Sequence, residues 1–191
     1  MATLNTTNIK HASSSSNNIV LASDGKVTFP QNTGNILQVK QTVKTDTFSA
    51  TVSYGDLSAV VLSCSFTASS TSNKLLLVAS LYGDSSDQPT NNGFVFTDNG
   101  TTISGARGDA SGSQGRVAGA WGQMQTNEFV FHAYAEFLHT PTDTSSHTYG
   151  VKLYQGSGYS NQTLFLNFAS NSNTTQRLRT MSTLTIMEVS A

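Results

Sequence analysis

Between Asn127 and Leu138 the sequence reads NEFVFHAYAEFL, and its side chains sort by twos. Phe129, Phe131, Ala133, Ala135 and Phe137 fall on one side; Val130, His132, Tyr134, Glu136 and Leu138 fall on the other. Alternate side chains of a strand point to opposite faces, so this is a long strand with one wholly apolar face. Burying a phenylalanine contributes about 1.5–3 kcal/mol, and three on one face require a second layer to cover them. The other face is mixed and stays at least partly wet. The stretch is therefore expected to be the central strand of a β-sandwich.

The rest of the chain repeats the strand signal. Ile36–Val43 alternates, Thr47–Tyr54 is a weak β-branched run, and Leu57–Phe66 is apolar. Ser69–Asn73 is a turn, and Lys74–Tyr82 is a nearly continuous apolar run, which points to burial on both faces or to burial on one and a subunit contact on the other. Phe94–Thr97 and Thr101–Ser104 flank Asp98-Asn99-Gly100, where the Asn-Gly pair favours a type I′ hairpin turn. A Gly-rich stretch over 105–126 carries at most a weak strand through Arg116–Met124. His147–Gln155 and Thr163–Phe168 are strands, and Ser182–Val189 closes the chain in the middle of a sheet, with Leu184, Ile186 and Glu188 on one face. Short strands with a turn every ten residues or so, and no helical periodicity, predict an all-β antiparallel two-sheet β-sandwich, most plausibly a jelly roll. A closed barrel and an immunoglobulin-like sandwich are the alternatives, the second without its Cys–Trp–Cys pattern.

Residues 1–35 read differently. Met1–Asn18 is polar and Ser-rich; Ile19-Val20-Leu21 and Val27-Thr28-Phe29 follow, with a tight turn at Asp24-Gly25. A lone hairpin is marginal in water, so this segment is expected to be an extended arm that lies on its own domain, a sister subunit or another protein. A disordered leader is the competing reading for 1–17. The division expected is an arm over 1–35 and a sandwich over 36–191.

Only 11% of the 191 residues are charged, against roughly 25% in an average soluble protein. Ser, Thr, Asn and Gly must cover the surface instead, a habit of extracellular, fibrous and viral β-proteins. The net charge of −1 without a basic block argues against nucleic acid as a partner. No apolar run approaches the roughly 20 residues of a membrane helix, so membrane insertion is not expected. The first residues lack the apolar core of a secretory signal, which implies synthesis in a cytoplasm and release by another route such as lysis. The single cysteine, Cys64, sits in VVLSCSF and reads as a small buried hydrophobe.

Few constellations carry chemistry. His139, Asp143 and His147 have helical metal-ligand spacing but span a Pro-containing loop, so no metal site is expected. Asp84, Asp87 and Asp98 border loops without the spacing of a calcium loop. Arg107-Gly108-Asp109 spells an integrin tripeptide within a Gly-rich loop, where chance matches are common. Glu136 is a lone strand carboxylate expected to meet a Lys or Arg. No nucleophile elbow, zinc-protease or phosphate-loop motif occurs, and no carboxylate pair suits glycoside hydrolysis. The expectation is a protein that is not an enzyme and takes no cofactor or metal. Trp121 and Tyr159 stand among small polar residues, as aromatic anchors of recognition surfaces do. With Asp84 and Asp87 they are the receptor-contact candidates, although plugging an end of the sandwich is the favoured role for each aromatic.

Several stretches together resemble a family of small virion structural proteins of marine tailed bacteriophages, cyanophages among them. They are the leader MATLNTTNIKHASSSSNNIVLASDGKVTFP, Ile36–Val39 with Thr45–Ser49, the turn and strand Ser70–Leu76, and the closing Ser182–Glu188. Ala68 departs from the pattern, which leads one to expect proline before the turn. The resemblance covers nearly the whole chain but carries over no functional residue. It implies a tail-fibre-like component, or alternatively a capsid decoration or head-fibre protein, located in the virion and commonly a homotrimer. The arm would then dock on other virion proteins through Ile19, Val20, Leu21, Val27 and Phe29. Leu75, Leu77, Val130, Tyr134 and Leu138 would meet between subunits. The loops at 83–92, 105–126 and 155–162 would face a host-surface glycan or protein.

Overall fold

A computed structural model describes residues 6–25, 27–28, 35–86, 90–123, 129–156, 161–170 and 178–191. The arm forms a small antiparallel sheet of its own from β1 (Asn8–Ile9), β2 (Ile19–Leu21) and β3 (Val27–Thr28). The expected turn at Asp24-Gly25 joins β2 to β3, with Gly25 at φ +82°. β1 comes from the polar 1–18 stretch, part of the expected arm, for which a disordered leader is the competing reading over 1–17, and it pairs Asn8 with Val20.

The sandwich is built from β4 (Ile36–Lys44), β5 (Phe48–Ser53), β6 (Leu57–Thr67), β7 (Lys74–Ser85), β8 (Thr90–Asp98), β9 (Thr101–Thr102), β10 (Gly119–Gln123), β11 (Phe131–His139), β12 (Ser146–Gln155), β13 (Asn161–Leu166) and β14 (Ser182–Val189). One sheet runs β4-β14-β7-β11, and the other runs β6-β12-β8-β10. Counting the eight strands of these two runs in chain order, the first, eighth, third and sixth lie in one sheet, and the second, seventh, fourth and fifth in the other. That is jelly-roll order. β13 and β5 extend the first sheet past the end of β14. Among the described residues there is no α-helix, only a 3-10 turn at Ser104–Ala106.

The strand on which the first sheet is centred is β7, not the stretch that opens on Asn127. β7 bonds β11 along one edge and, along the other, β14 and then β13. β11 pairs with β7 alone among the described residues, and Phe129 precedes it at 59% exposure. The physical reason lies in the second face. β11 turns His132, Tyr134, Glu136 and Leu138 to solvent, which an edge strand tolerates. β7 carries apolar residues on both faces and can be flanked on both sides. The alternation itself holds, since Phe131, Ala133, Ala135 and Phe137 all pack on the core.

That core is filled from β7 by Leu75, Leu77, Ala79 and Leu81, from β14 by Leu184 and Ile186, and from the facing sheet by Phe66, Phe94, Phe96, Val151 and Leu153. Cys64 is buried and free. The closing strand lies between β4 and β7, as expected of a C-terminal strand in mid-sheet. The Asn99-Gly100 hairpin also forms as its residues require, with φ +46° and +80°.

Candidate functional site

The sandwich has two chemically distinct ends, and β12 runs from one to the other. At its start lie His147, the end of β8 and the Ser69–Asn73 turn; at its finish lie Tyr154, Gln155 and Gly156. His147 and Tyr154 are therefore roughly 23 Å apart at about 3.3 Å per strand residue. The chain enters the sandwich at the first end. There Ile36 pairs with Val189, and the backbone of Asn35 exchanges bonds with Ser190.

The second end holds a cleft of about 460 Å³, within the range of small-ligand sites. Its walls come from the three segments expected to face a host. Asn91 and Asn92 belong to the first, Ser113, Gln114, Gly115, Val117 and Ala120 to the second, and Gly156 to the third. Tyr154 and Tyr54 complete it, Tyr54 at 56% exposure on the turn after β5. That turn is held by Gly55 N–H donating to Gln155 O at 2.9 Å and Gln155 N–H donating to Asp56 O at 3.2 Å.

Two glycines let the walls meet. A Cβ on Gly115 would collide with the Tyr154 ring and hydroxyl, and one on Gly156 with the Asn91 carbonyl. Asn92 is buried; its Oδ1 accepts from Gly156 N–H at 3.3 Å, while its Nδ2 has no hydrogen-bond partner. A recess of about 260 Å³ adjoins the cleft, shares Gln114 and Tyr154 with it, and is lined also by Leu57, Val95, Arg107 and Arg116.

The opposite end is polar. His147 is buried, with Nδ1 2.7 Å from Asp98 Oδ1 and Nε2 3.1 Å from Asp143 Oδ1. The bond to Asp98 is the main reason its pKa is raised; burial opposes and Asp143 assists. Asp143 is held down at about 2, chiefly by the Ser145 hydroxyl and N–H and then by His147. The ring of His147 stacks on Tyr149, whose hydroxyl burial pushes strongly upward. His139 packs edge-on against Tyr149, and burial lowers its pKa.

The helical-spacing trio thus meets only in part. Asp143 and His147 touch, but the third partner is Asp98 from the β8–β9 hairpin. Both ring nitrogens of His147 are engaged by carboxylates. No group of three or more potential metal-ligating side chains occurs among the described residues. At the same end the carboxylate of Glu188 is fully buried. It accepts from Gln38 Nε2 (2.6 Å), Asn73 Nδ2 (2.6 Å), Ser69 N–H (2.8 Å) and the Ser69 hydroxyl (2.7 Å). Burial raises its pKa, but the donors outweigh it and leave the net shift downward.

Several expected surface residues lie elsewhere. Trp121 is on β10 at 4% exposure, against Gly83, where a Cβ would come within 2.9 Å of the indole. It is a core residue, the plugging alternative, rather than a receptor contact. Asp84 is fully buried, with Oδ2 accepting from Ser170 N–H at 2.7 Å, so it does not face a partner either. Asp87, Tyr159 and Phe29 lie outside the described residues. Leu75 and Leu77 are in the core, because their strand parity points them at the facing sheet.

The outward face of β7 carries Leu76 instead, in a row across the sheet with Val39, Met187 and Leu138. Tyr134 and Leu138 are exposed on that face, and Val130 is half-buried just before β11. Glu136 accepts from the Tyr134 hydroxyl at 2.9 Å rather than from a cation. Ile19, Val20 and Leu21 are half-buried and Val27 is exposed. Tyr54, Tyr154 and Asn92 escaped notice as site residues; a Tyr beside a glycine turn, in Tyr54-Gly55-Asp56 and Tyr154-Gln155-Gly156, was the available signal.

No protein-family model matches the sequence, and comparison with curated proteins finds no match. Among solved structures, the chain is similar to one in the structure of infectious bursal disease virus Gx strain, at 13% identity and a TM-score of 0.40. The likeness covers 88% of this chain and 43% of the other, so this chain spans less than half the length of that neighbour.

Proposed function

We propose that this chain is a tail-fibre-like structural protein of a bacteriophage virion, attached through its N-terminal arm and presenting the far end of its sandwich to the host surface. The observation that carries the reading is the polarity of the fold. The chain enters the jelly roll beside Glu188 and His147, and Asn91 and Asn92, the lining residues within 113–120, and Gly156, from the three segments expected to face a host, converge on one cleft at the opposite end. An attached protein whose only task is to cement neighbouring subunits has no need of such a cleft. The resemblance of the leader, the Ser70–Leu76 turn and the closing strand to phage virion proteins supports the virion setting.

The self-contact belongs to the outer face of the first sheet, with a second copy as its occupant. The row Val39, Met187, Leu76 and Leu138 crosses four strands. The charges beside it, Glu136 and Lys74, already have partners in Tyr134 and Thr140. Capsid decoration is the second reading, favoured by this same apolar row, which suits lateral packing.

Particles carrying Tyr54→Ala test the first reading. They should assemble in normal number and adsorb to host cells more slowly. Unchanged adsorption would overturn it.

A further inference from the structure

We infer that the Tyr54–Tyr154 cleft and its arginine-lined recess form one binding site for an acidic oligosaccharide. The inference rests on the host-facing reading of this end and adds the ligand class. Two tyrosines at the margins of a cleft offer flat apolar faces with polar tips, which suit the C–H face of a sugar ring. Around them stand the amides of Asn91, Asn92 and Gln114, donors and acceptors for hydroxyl groups. Asn92 lines this cleft and its buried Nδ2 has no hydrogen-bond partner, and an unpaired buried donor is costly unless something accepts from it. A peptide anchor would require a deep aliphatic hole; among the described residues the aliphatic lining of the cleft is Val117 and Ala120.

The acid preference comes from the recess. Arg107 and Arg116 both line it, and Tyr154 and Gln114 form the wall it shares with the cleft. Arg116 Nε donates to Gly108 O at 2.6 Å, and the buried Nε of Arg107 has no hydrogen-bond partner. Neither guanidinium is paired with a carboxylate among the described residues. Asp109, the nearest acid along the chain, and Asp56, beside the Gly55 that lines the recess, are both exposed. Planar guanidinium donors match carboxylate and sulfate oxygens. A sugar seated over the tyrosines would place a uronate or sulfate on its neighbouring ring against them.

The test is a glycan array of neutral, uronate-bearing and sulfated oligosaccharides probed with the full chain, followed by calorimetry on the best acidic ligand, its neutral counterpart and hexaglutamate. The acidic sugar should bind about tenfold or more tighter than the neutral one, and hexaglutamate should not bind. Tyr54→Ala should weaken both sugars. Arg107→Gln and Arg116→Gln should remove the acid preference alone, with thermal melts confirming that each variant is folded. A silent array, equal binding of acidic and neutral sugars, or hexaglutamate bound as well as the acidic sugar would overturn the inference. If the array is silent while Tyr54→Ala particles still adsorb poorly, the ligand class fails and the host-facing reading stands.

Discussion

The Ser182 hydroxyl donates to the side-chain oxygen of Asn167 at 2.6 Å, and at this contact one edge of β7 passes from β14 to β13. Tyr82 N–H donates to the same Ser182 oxygen at 3.1 Å, and Asn167 N–H donates to Tyr82 O at 2.8 Å. The Asn167 amide also holds the turn after β4 through Lys44 O and Asp46 O at 2.8 and 2.9 Å. Asn167 adopts φ +67°, which asparagine tolerates better than most residues. Asn167→Gly should lose the side-chain bonds while keeping the backbone unstrained. Asn167→Ala loses the bonds and adds strain, and urea denaturation should find it about 1 kcal/mol less stable than the glycine variant. Equal stabilities would show that the left-handed backbone carries no cost here.

Glu188→Gln replaces an acceptor with an amide whose NH2 must face donors. The variant should lose about 2–3 kcal/mol at neutral pH, the scale for charge-assisted bonds to a buried group. The folded pKa of Glu188 lies below its ordinary 4.5. Its contribution is thus present above pH 4.5 and lost as pH falls through the folded value. Chemical denaturation at pH 7 measures the first effect, and a loss under 0.5 kcal/mol, a chosen threshold of roughly the size of an ordinary surface substitution, would contradict it.

His147 and His139 titrate with opposite signs. His147 is raised above 6.5 in the folded protein, so its contribution is complete below pH 6.5 and is lost as pH rises through the folded value. His139 is lowered, so its contribution is complete above pH 6.5 and falls away on acidification. Asp143, held at about 2 against 3.8, keeps its side of the pair until the pH drops below 3.8. Burial, the main cause of the His139 shift, is retained in His147→Ala, so the stability difference between wild type and that variant is carried mainly by His147. It should therefore shrink as pH rises past 6.5, and a difference that grows instead would contradict the histidinium assignment.

Trp121→Ala should destabilise the fold by about 3–5 kcal/mol, the cost of emptying a large core site. Gly83→Ala should cost about 1–3 kcal/mol by crowding the indole. Thermal melts distinguish these effects from a surface role for Trp121, in which stability would be unchanged and adsorption reduced.

What could be read from the sequence followed from how local its physics is. The Asn99-Gly100 turn was legible because its backbone demand is met by adjacent residues. The inward face of β11 was legible because strand parity needs only alternation. The place of β11 at a sheet edge was not, since it depends on pairing with residues some 50 positions away. Leu75 and Leu77 read as interface candidates because a run apolar on both faces does not say which parity faces the core. Trp121 looked exposed because its stretch is rich in glycine, yet the glycine that makes room for it, Gly83, lies on another strand. The cleft brings Tyr54 and Tyr154 together across 100 positions, and only the closed sheets reveal it.

The most direct measurement is immunogold labelling of intact phage particles, the setting of the proposed function, with an antibody to this chain, viewed by electron microscopy. Gold is expected on the tail, and on particles bound to host cells at the point of contact. Gold confined to the head would contradict the tail-fibre reading in favour of decoration, and no gold on any particle would contradict the virion assignment itself.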